Sequence, residues 1–501
     1  MRGKREMLSS KYSSIAMITG SLLVTACGGG GGGNTNTNDT STPESNNPIQ
    51  NQNLAGSLAI PEPIETTMSN ISVASNGRIF MAQETDCPNI PMGYDPLTNA
   101  NITLLNQAGN SLGITTITDE CGMFSLSAPM TASSVSATAT GVRDITVPVT
   151  QFSANSQTGG LASTIPDTSD YEIGSLSLLD NDTIAFTIVD SATGTAVIGA
   201  PPSAFSALLN GTPINISTSP NASGASAEAT SVGLVMDAST SMSFTVVDPN
   251  DPNNPDPFTQ YELAALSAHQ FLDQKSASDE VLVTVFDNQI NVIDDMSISN
   301  LFDINDANGM PTTYAFSTDG FTVNSSDLRF IIDAYTPSSQ LYGDPTGVPL
   351  HPDTPDFSIS SFYPFGGLTA FYSATNDALE RIAPRSNTRQ VLIAMTDGGD
   401  NASLIDESQL INAANAENIP VFTIGFGQFS DNDSLQRIAD STGGDFFLAE
   451  GADITAAFQS IGTNVQFFYT ADLAQNLVAP FDFALNLSFN GQNISRSLIQ
   501  N

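Results

Sequence analysis

Five side chains with oxygen ligands lie where apolar segments of the sequence give way to loops. They are Asp237, Ser239, Ser241, Thr369 and Asp397. In an extended loop alternate residues point the same way, so the Asp-x-Ser-x-Ser pattern can aim three oxygens at one point. Two carboxylates and three hydroxyls form an all-oxygen set, which suits Mg²⁺ with retained waters, with Mn²⁺ and Ca²⁺ as the alternative ions.

The Asp-x-Ser-x-Ser pattern alone is weak evidence because this chain is rich in serine. The same pattern also begins at Asp295 and at Asp356. Only Asp237 directly follows a fully apolar run, and Asp397 likewise follows an apolar run in its own segment. The context therefore selects Asp237 over the other two positions.

Between residues 229 and 464 the chain alternates apolar and amphipathic segments, which predicts a parallel sheet covered by helices on both faces. The predicted strands are Val232–Met236, Val281–Phe286, Val391–Met395 and Val421–Phe426. The predicted helices are Tyr261–Gln274, Phe371–Ala383, Glu407–Ala416, Ser434–Asp440 and Ile454–Ile461. The carboxyl ends of parallel strands meet at one edge of a sheet, where open α/β folds bind ligands. We expect the five side chains to converge there.

This set of residues resembles the metal-ion-dependent adhesion site (MIDAS) of von Willebrand factor A-type (VWA) domains. The resemblance implies a doubly wound, Rossmann-like α/β domain over 229–464. It also implies that the hydroxyls contact the metal, that the aspartates often act through water, and that a carboxylate from a partner completes the site.

The sequence departs from the family pattern at three places. The usual Gly-Gly-Thr is here Gly366-Gly367-Leu368-Thr369, one residue longer, which shifts the candidate ligand Thr369 by one position from the family pattern. The acidic, proline-rich stretch 248–257 is inserted after the Asp-x-Ser-x-Ser loop, either as a solvated loop or as a source of calcium ligands. A longer insertion, roughly 299–360, precedes Thr369 and is a candidate part of the ligand-binding face.

The N-terminal segment is expected to target the chain rather than to fold. Basic residues precede Ile15–Val24, an apolar run shorter than the about 20 residues that a membrane-spanning helix needs. Val24-Thr-Ala-Cys27 resembles the bacterial lipobox, which implies a signal peptide over 1–26 and acylation of Cys27. An ordinary signal peptide with an incidental cysteine is the alternative. A flexible Gly/Asn/Thr-rich tether is predicted over 27–56.

The region 57–165 shows short alternating strands separated by turns. Its turn Thr118–Phe124 resembles the central turn of carboxypeptidase regulatory-like β-sandwiches, which implies an all-β spacer or interaction domain. Cys87 and Cys121 both lie in this region, and an exported chain folds in an oxidising compartment, so we predict a disulfide between them.

A second β-rich domain is predicted to be split along the chain. The segments 170–228 and 465–501 both carry strand patterns, including Val465–Tyr469 and Phe483–Phe489. We expect them to pair as one immunoglobulin-like β-domain with the VWA domain inserted between them, because tolerated insertions keep their termini close together.

The charge balance limits the partners. There are 52 acidic and 13 basic residues, a net charge of −39, which repels nucleic acid and anionic lipid. The leading prediction is a non-enzymatic, metal-dependent adhesion lipoprotein of the bacterial cell envelope. It would be lipid-anchored, with the glycine after Cys27 favouring the outer membrane, and would bind a protein that exposes an acidic residue. The alternatives are an envelope assembly scaffold with a structural metal site and a metal-dependent hydrolase.

Overall fold

The structure is a computed structural model of the chain. It describes residues 51–62, 71–73, 79–81, 87, 89–152, 160–220, 229–244, 246, 259–288, 290–292, 319–334, 368–387, 389–427, 429–449 and 453–500. Residues 49–501 form one compact unit. Cys27, the stretch 248–257, Asp295 and Asp356 lie outside the described residues.

Apart from one short 3₁₀ helix at Val149–Gln151, the first part of the described chain consists of strands. They are β1 (Asn51–Pro61), β2 (Ile71–Val73), β3 (Ile79–Met81), β4 (Tyr94–Pro96), β5 (Asn101–Asn106), β6 (Ser111–Ile117), β7 (Met123–Pro129), β8 (Ala132–Thr138), β9 (Ile145–Pro148) and β10 (Gly160–Ser163). One sheet has β1 between β10 and β4, with β7 also paired to β1, and a second has the order β6-β5-β8-β9. A shared core that includes Leu58, Ile102 and Val135 lies between them.

The predicted end of the tether is wrong, because β1 begins at Asn51 and residues 51–56 are strand. Residues 51–57 pair with β7, and Leu54 is buried in the core between these first two sheets. Residues 51–56 contain one large apolar residue among polar and small ones, so their composition alone is typical of a linker. Pairing with β7 supplies the backbone hydrogen bonds that order it.

The turn between β6 and β7 holds the predicted disulfide. Asp119 Oδ1 accepts hydrogen bonds from the amides of Cys121 and Met123, both at 2.9 Å. Gly122 has φ +67°, and a Cβ there would stand 2.3 Å from Leu58 O, so only glycine fits. Cys121 is bonded to Cys87 with a Cα–Cα distance of 5.3 Å.

A second group of strands begins after residue 170. They are β11 (Tyr171–Leu178), β12 (Thr183–Asp190), β13 (Phe205–Leu209), β14 (Thr212–Ile214) and β15 (Ile216–Pro220). None of their sheets is complete within this segment, because each needs a strand from the end of the chain.

An α/β body follows, in which strands and helices alternate. The strands are β16 (Thr230–Asp237), β17 (Glu280–Phe286), β18 (Ile290–Val292), β19 (Arg389–Thr396), β20 (Val421–Phe426) and β21 (Phe446–Ala449). The helices are α1 (Gln260–Gln274), α2 (Ser325–Ala334), α3 (Phe371–Ile382), α4 (Glu407–Ala416), α5 (Asn432–Thr442) and α6 (Asp453–Gln466). Every strand and helix predicted here is present, and β18, β21 and α2 are additional.

The six strands form one sheet in the order β18-β17-β16-β19-β20-β21, parallel apart from β18. The chain order reverses at β16, which has β17 on one side and β19 on the other. Such a reversal opens a crevice outside the carboxyl ends of the strands. The edge of the sheet at the ends of β16 and β19 is therefore the place to look for a site.

Alternate residues of β16 pack into different hydrophobic clusters. Val232 and Leu234 pack in a cluster with residues of α1 and α6. Val235 packs in a cluster with residues of α3, α4 and α5. Successive side chains of a strand point to opposite faces, so helices cover both faces of the sheet, as predicted.

Three C-terminal strands complete the second group of sheets. They are β22 (Tyr469–Leu473), β23 (Phe481–Phe489) and β24 (Gln492–Gln500). The two sheets have the orders β11-β12-β22-β15 and β14-β13-β23-β24 and enclose one core. Strands from 171–220 thus pair with strands from 469–500, while the immunoglobulin-like assignment stays a prediction.

The predicted strand Val465–Tyr469 is wrong in its first part, because α6 continues to Gln466. Phe458, Ile461 and Val465 are buried in the same cluster at helical spacing, which holds the last turn of α6 on the sheet. The boundary predicted after residue 464 therefore falls inside a helix. Within the described part of the chain, no helix has the length and apolar character to cross a membrane.

Replacing both Cys87 and Cys121 by serine should lower the free energy of unfolding of the N-terminal sheets, which are built from β1 to β10. The crosslink joins residues 34 apart in sequence, and closing a loop of this size stabilises by about 3–4 kcal/mol in the chain-entropy model. Urea unfolding followed by circular dichroism measures the change. Reduced wild-type protein is the control and should behave as the double variant does. Equal stability of oxidised wild type and double variant would show that the disulfide contributes nothing.

Candidate metal site

Asp237 is the last residue of β16, and its side chain is fully buried. Its Oδ1 accepts a hydrogen bond from the amide of Ser239 at 2.7 Å. Its Oδ2 accepts one from the hydroxyl of Thr396 at 2.6 Å, and Thr396 is the last residue of β19. The carboxylate is therefore fixed between the ends of two adjacent parallel strands.

The Asp-x-Ser-x-Ser loop turns back toward β19 through a short 3₁₀ helix, Thr240–Ser243. Ser239 Oγ and Ser241 Oγ lie 3.1 Å apart. Ser241 Oγ donates a hydrogen bond to Asp397 Oδ1 at 2.6 Å. Asp237, Ser239, Ser241 and Asp397 are thus linked by hydrogen bonds, although Asp397 is distant from the others in sequence.

Thr369 reaches the same place from the start of α3. A Cβ added to Gly398 would stand 3.6 Å from Thr369 Oγ1, so the hydroxyl lies beside the residue that follows Asp397. The amide of Thr369 donates to Asn401 Oδ1 at 2.8 Å, and its carbonyl accepts from the amide of Asn401 at 3.0 Å. The amide of Ala370 donates to the carbonyl of Asp287, at the end of β17, at 2.9 Å.

The structure therefore brings all five predicted site residues to the carboxyl edge of the sheet. Thr369 lies at the site despite the additional Leu368, because Asn401 forms hydrogen bonds with both the amide and the carbonyl of Thr369. Gly366 and Gly367 lie outside the described residues.

Sequence reasoning missed the residues that position the ligands. Thr396 joins Asp237 to β19, and Asn401 fixes Thr369. Asp400 Oδ2 accepts a hydrogen bond from the amide of Tyr372 in the first turn of α3 at 3.0 Å. These residues occupy the same Thr-Asp-Gly-Gly-Asp-Asn segment as Asp397, so the polar run itself was the available signal.

Burial and like charge act on both carboxyl groups of the site. Burial raises the pKa of Asp237 to about 6, against the opposing effect of its hydrogen bonds from Thr396 and Ser239. Burial, with the charge of Asp237 second, raises the pKa of Asp397 to about 7, and the hydrogen bond from Ser241 opposes this. Two ionised carboxylates at this position are costly unless a cation neutralises them.

The donor set fits a divalent cation. Asp397 Oδ2 is buried and has no hydrogen-bond partner among the described residues, although an unpaired buried polar atom is costly. A cation would offset that cost as well as the repulsion between the two carboxylates. No group of three or more His, Cys, Asp and Glu side chains in the described ranges could hold a metal ion. The candidate site instead combines two carboxylates with hydroxyls, which favours a hard ion such as Mg²⁺.

The comparison with protein families agrees with this geometry. Residues 359–461 match the family model of the von Willebrand factor type A domain. The match includes Thr369 and Asp397, whereas the Asp237 loop lies before it. A comparison with curated proteins found no match.

Solved structures that match part of this chain include three proteins from different sources. Proximal thread matrix protein 1 from the mussel byssus, with a zinc-occupied MIDAS motif, is 17% identical over 49% of this chain and 47% of its own, with a TM-score of 0.30. The chain thus spans about half the length of that protein. The von Willebrand factor domain of the type V pili tip protein Mfa5 from Porphyromonas gingivalis is 12% identical over 48% and 95%, with a TM-score of 0.28. A variant of the PilB minor pilin from Streptococcus sanguinis is 9% identical over 74% and 88%, with a TM-score of 0.32.

In metal-free protein, the melting temperature of the α/β body should fall by on the order of 5 °C as the pH rises from about 5 to about 8. The folded-state pKa values of about 6 for Asp237 and about 7 for Asp397 lie above the ordinary aspartate value. The folded form therefore binds protons more tightly, so this stabilisation is complete below the ordinary value and is lost as the pH rises through 6 to 7. Scanning calorimetry in EDTA measures the change.

Asp397→Asn is the matched control because it keeps the shape of the side chain and removes one of the two groups that titrate, leaving only Asp237. Its melting temperature should vary less over the same pH range. A wild-type melting temperature that is level in EDTA, or that falls equally in the variant, would contradict the raised pKa of Asp397.

Proposed function

Because the chain contains a von Willebrand factor type A domain, we propose that this domain binds a partner protein through a Mg²⁺ ion. Its ligands would be Asp237, Ser239, Ser241, Thr369 and Asp397. The observation that carries the proposal is the pair of buried carboxylates at the ends of adjacent strands, with Asp397 Oδ2 left without a partner.

The proposed ligand of the site is a carboxylate on the partner. Asp237 and Asp397 together balance the charge of a divalent ion, while the three hydroxyl donors add no further negative charge. When bound, the ion would supply an electrophilic position for one more oxygen. The hydrogen bonds from Thr396 and Ser239 hold the carboxylate of Asp237 in place, so the site is prepared before the partner arrives.

A binding role fits the site better than hydrolysis. Activation of a metal-bound water needs a general base within hydrogen-bond reach of that water. Here the Asp237 carboxylate already accepts two hydrogen bonds, and Asp397 is needed to neutralise the ion. Asp400, the next carboxylate along the chain, accepts hydrogen bonds from the amide of Tyr372 in the first turn of α3 and from the hydroxyl of Ser403 in its own loop.

We also propose that the protein is a lipoprotein of the bacterial envelope. The support is the sequence Val24-Thr-Ala-Cys27 after a basic and apolar leader, followed by a run of glycines. Acylation of Cys27 would hold the protein on the outer membrane, and the segment before β1 would give the folded part reach.

Asp237→Ala should abolish Mg²⁺ binding in isothermal titration calorimetry of the full chain. The variant loses the carboxylate that joins β16 to the metal, and in the metal-free state it also loses the repulsion with Asp397. It should therefore stay folded, which its melting curve in EDTA checks. Asp295→Ala and Asp356→Ala alter the other two Asp-x-Ser-x-Ser patterns and serve as controls with near wild-type affinity. If Asp237→Ala binds Mg²⁺ as wild type does, or if a control variant loses the ion, the assignment is wrong.

Cys27→Ser should release the protein from the membrane fraction or leave its precursor uncleaved, because the variant lacks the thiol that would be acylated. Fractionation of cells followed by mass spectrometry of the N-terminus measures both effects. Cys87→Ser removes a cysteine that the lipobox does not use, so that protein should stay with membranes. Normal processing and membrane association of Cys27→Ser would refute the anchor.

A further inference from the structure

Four large apolar side chains are exposed on the loops around the candidate metal site. Phe244 is 54% exposed, Leu368 48%, Leu404 97% and Phe429 62%. We call these four residues the apolar collar. Single exposed apolar residues are common, but several on the loops of one site indicate an interaction surface.

Hydrogen bonds tie two sides of the apolar collar to the metal ligands. On one side, the amide of Phe244 donates to the carbonyl of Ser241 at 2.9 Å. On the other, Leu368 directly precedes Thr369, which Asn401 holds. The collar therefore flanks the site from the Asp-x-Ser-x-Ser loop and from the loop before α3.

The remaining two members follow the ends of β19 and β20. The amide of Leu404 donates to Ser373 Oγ, in the first turn of α3, at 2.9 Å. Phe429 lies in the turn before α5. In the same turn, Asp431 Cβ is 3.9 Å from the position that a Cβ on Gly399 would take. Leu404 and Phe429 thus belong to loops packed beside Asp397.

The charges on these loops restrict what can cover the collar. Asp400, Asp406 and Asp431 accept hydrogen bonds from amides at the first turns of α3, α4 and α5. Arg437, on α5, is already paired with Glu407. This acidic rim repels anionic lipid and strongly acidic partners, so only a carboxylate that reaches the ion itself finds an opposite charge.

We infer that the apolar collar binds a protein segment in which a single carboxylate is flanked on both sides by large apolar side chains. The inference rests on the proposed function and names the partner class for the same site. The carboxylate meets the ion, while the flanking side chains bury the collar on the two sides of it. Apolar contacts around one central polar anchor are the arrangement in which interface affinity concentrates.

The test uses short capped peptides with one central aspartate, binding to the full chain, measured by fluorescence anisotropy. One peptide has leucines on both sides of the aspartate, a second has serines there, and a third has leucines around an asparagine. In Mg²⁺ the leucine-flanked aspartate peptide should bind tighter than either of the others by about tenfold or more. EDTA should reduce its binding to the level of the asparagine peptide.

The double variant Phe244→Ser, Leu404→Ser should lose the preference for leucine flanks and keep wild-type Mg²⁺ affinity in calorimetry. Val478→Ser is the matched control, because Val478 is equally apolar and exposed but lies between β22 and β23, away from the site. It should keep both the preference and the metal affinity.

Three results would overturn the inference. The first is Mg²⁺ binding with equal affinity for leucine- and serine-flanked peptides, which leaves the proposed function standing. The second is binding of wild type, but not of the double variant, to neutral phosphatidylcholine vesicles without any peptide preference, which would assign the collar to lipid. The third is the absence of Mg²⁺ binding by wild type, which would remove the proposed function together with the inference.

Discussion

Asp237 and Asp397 place two like charges in a buried position at the ends of neighbouring strands. The two groups cannot move apart, because β16 and β19 are paired through Met236 and Met395, directly before the loops that carry them. Their repulsion is partly offset by the hydroxyls of Thr396 and Ser241, and Asp397 Oδ2 is left over. The remaining cost can be relieved by protons or by a cation. The fold thus holds the two carboxyl groups close together and prevents them from moving apart.

The loops at this edge support one another rather than standing alone. Asn401 bonds Thr369 through both its side chain and its backbone, and Asp400 bonds the amide of Tyr372 in the first turn of α3. Ser373 in turn holds the amide of Leu404. A site assembled from three loops usually risks being too loose to bind a small ion. Here each loop is fixed by a neighbour, so the ligand geometry is set by the fold.

The sequence was sufficient to predict the strands of the sheet and the place of the five candidate side chains at its edge, but not the contacts between the loops. An apolar run such as Val232–Met236 between turn residues predicts a buried strand, and the aspartate that follows it is then expected at the edge of the sheet. The bond from Thr396 to Asp237 depends on which strands are neighbours, and one sequence does not state that order. The prediction of where β1 begins failed for a related reason. Residues 51–56 carry one large apolar residue, Leu54, and are ordered by pairing with β7 more than by their own composition.

The β-sheets contact the α/β body on the side of its sheet away from the candidate site. Their contacts with the α/β body lie at the amino edge of its sheet, opposite Asp237 and Asp397. There the amide of Leu176 donates to the carbonyl of Gly443, just before β21, at 2.9 Å. Ser460, near the end of α6, donates to the carbonyl of Thr193 at 2.5 Å. Because α6 leads directly into β22, the chain enters and leaves the inserted body on this side. Among the described residues, these hydrogen bonds between the β-sheets and the α/β body thus lie on the side of the sheet opposite Asp237 and Asp397.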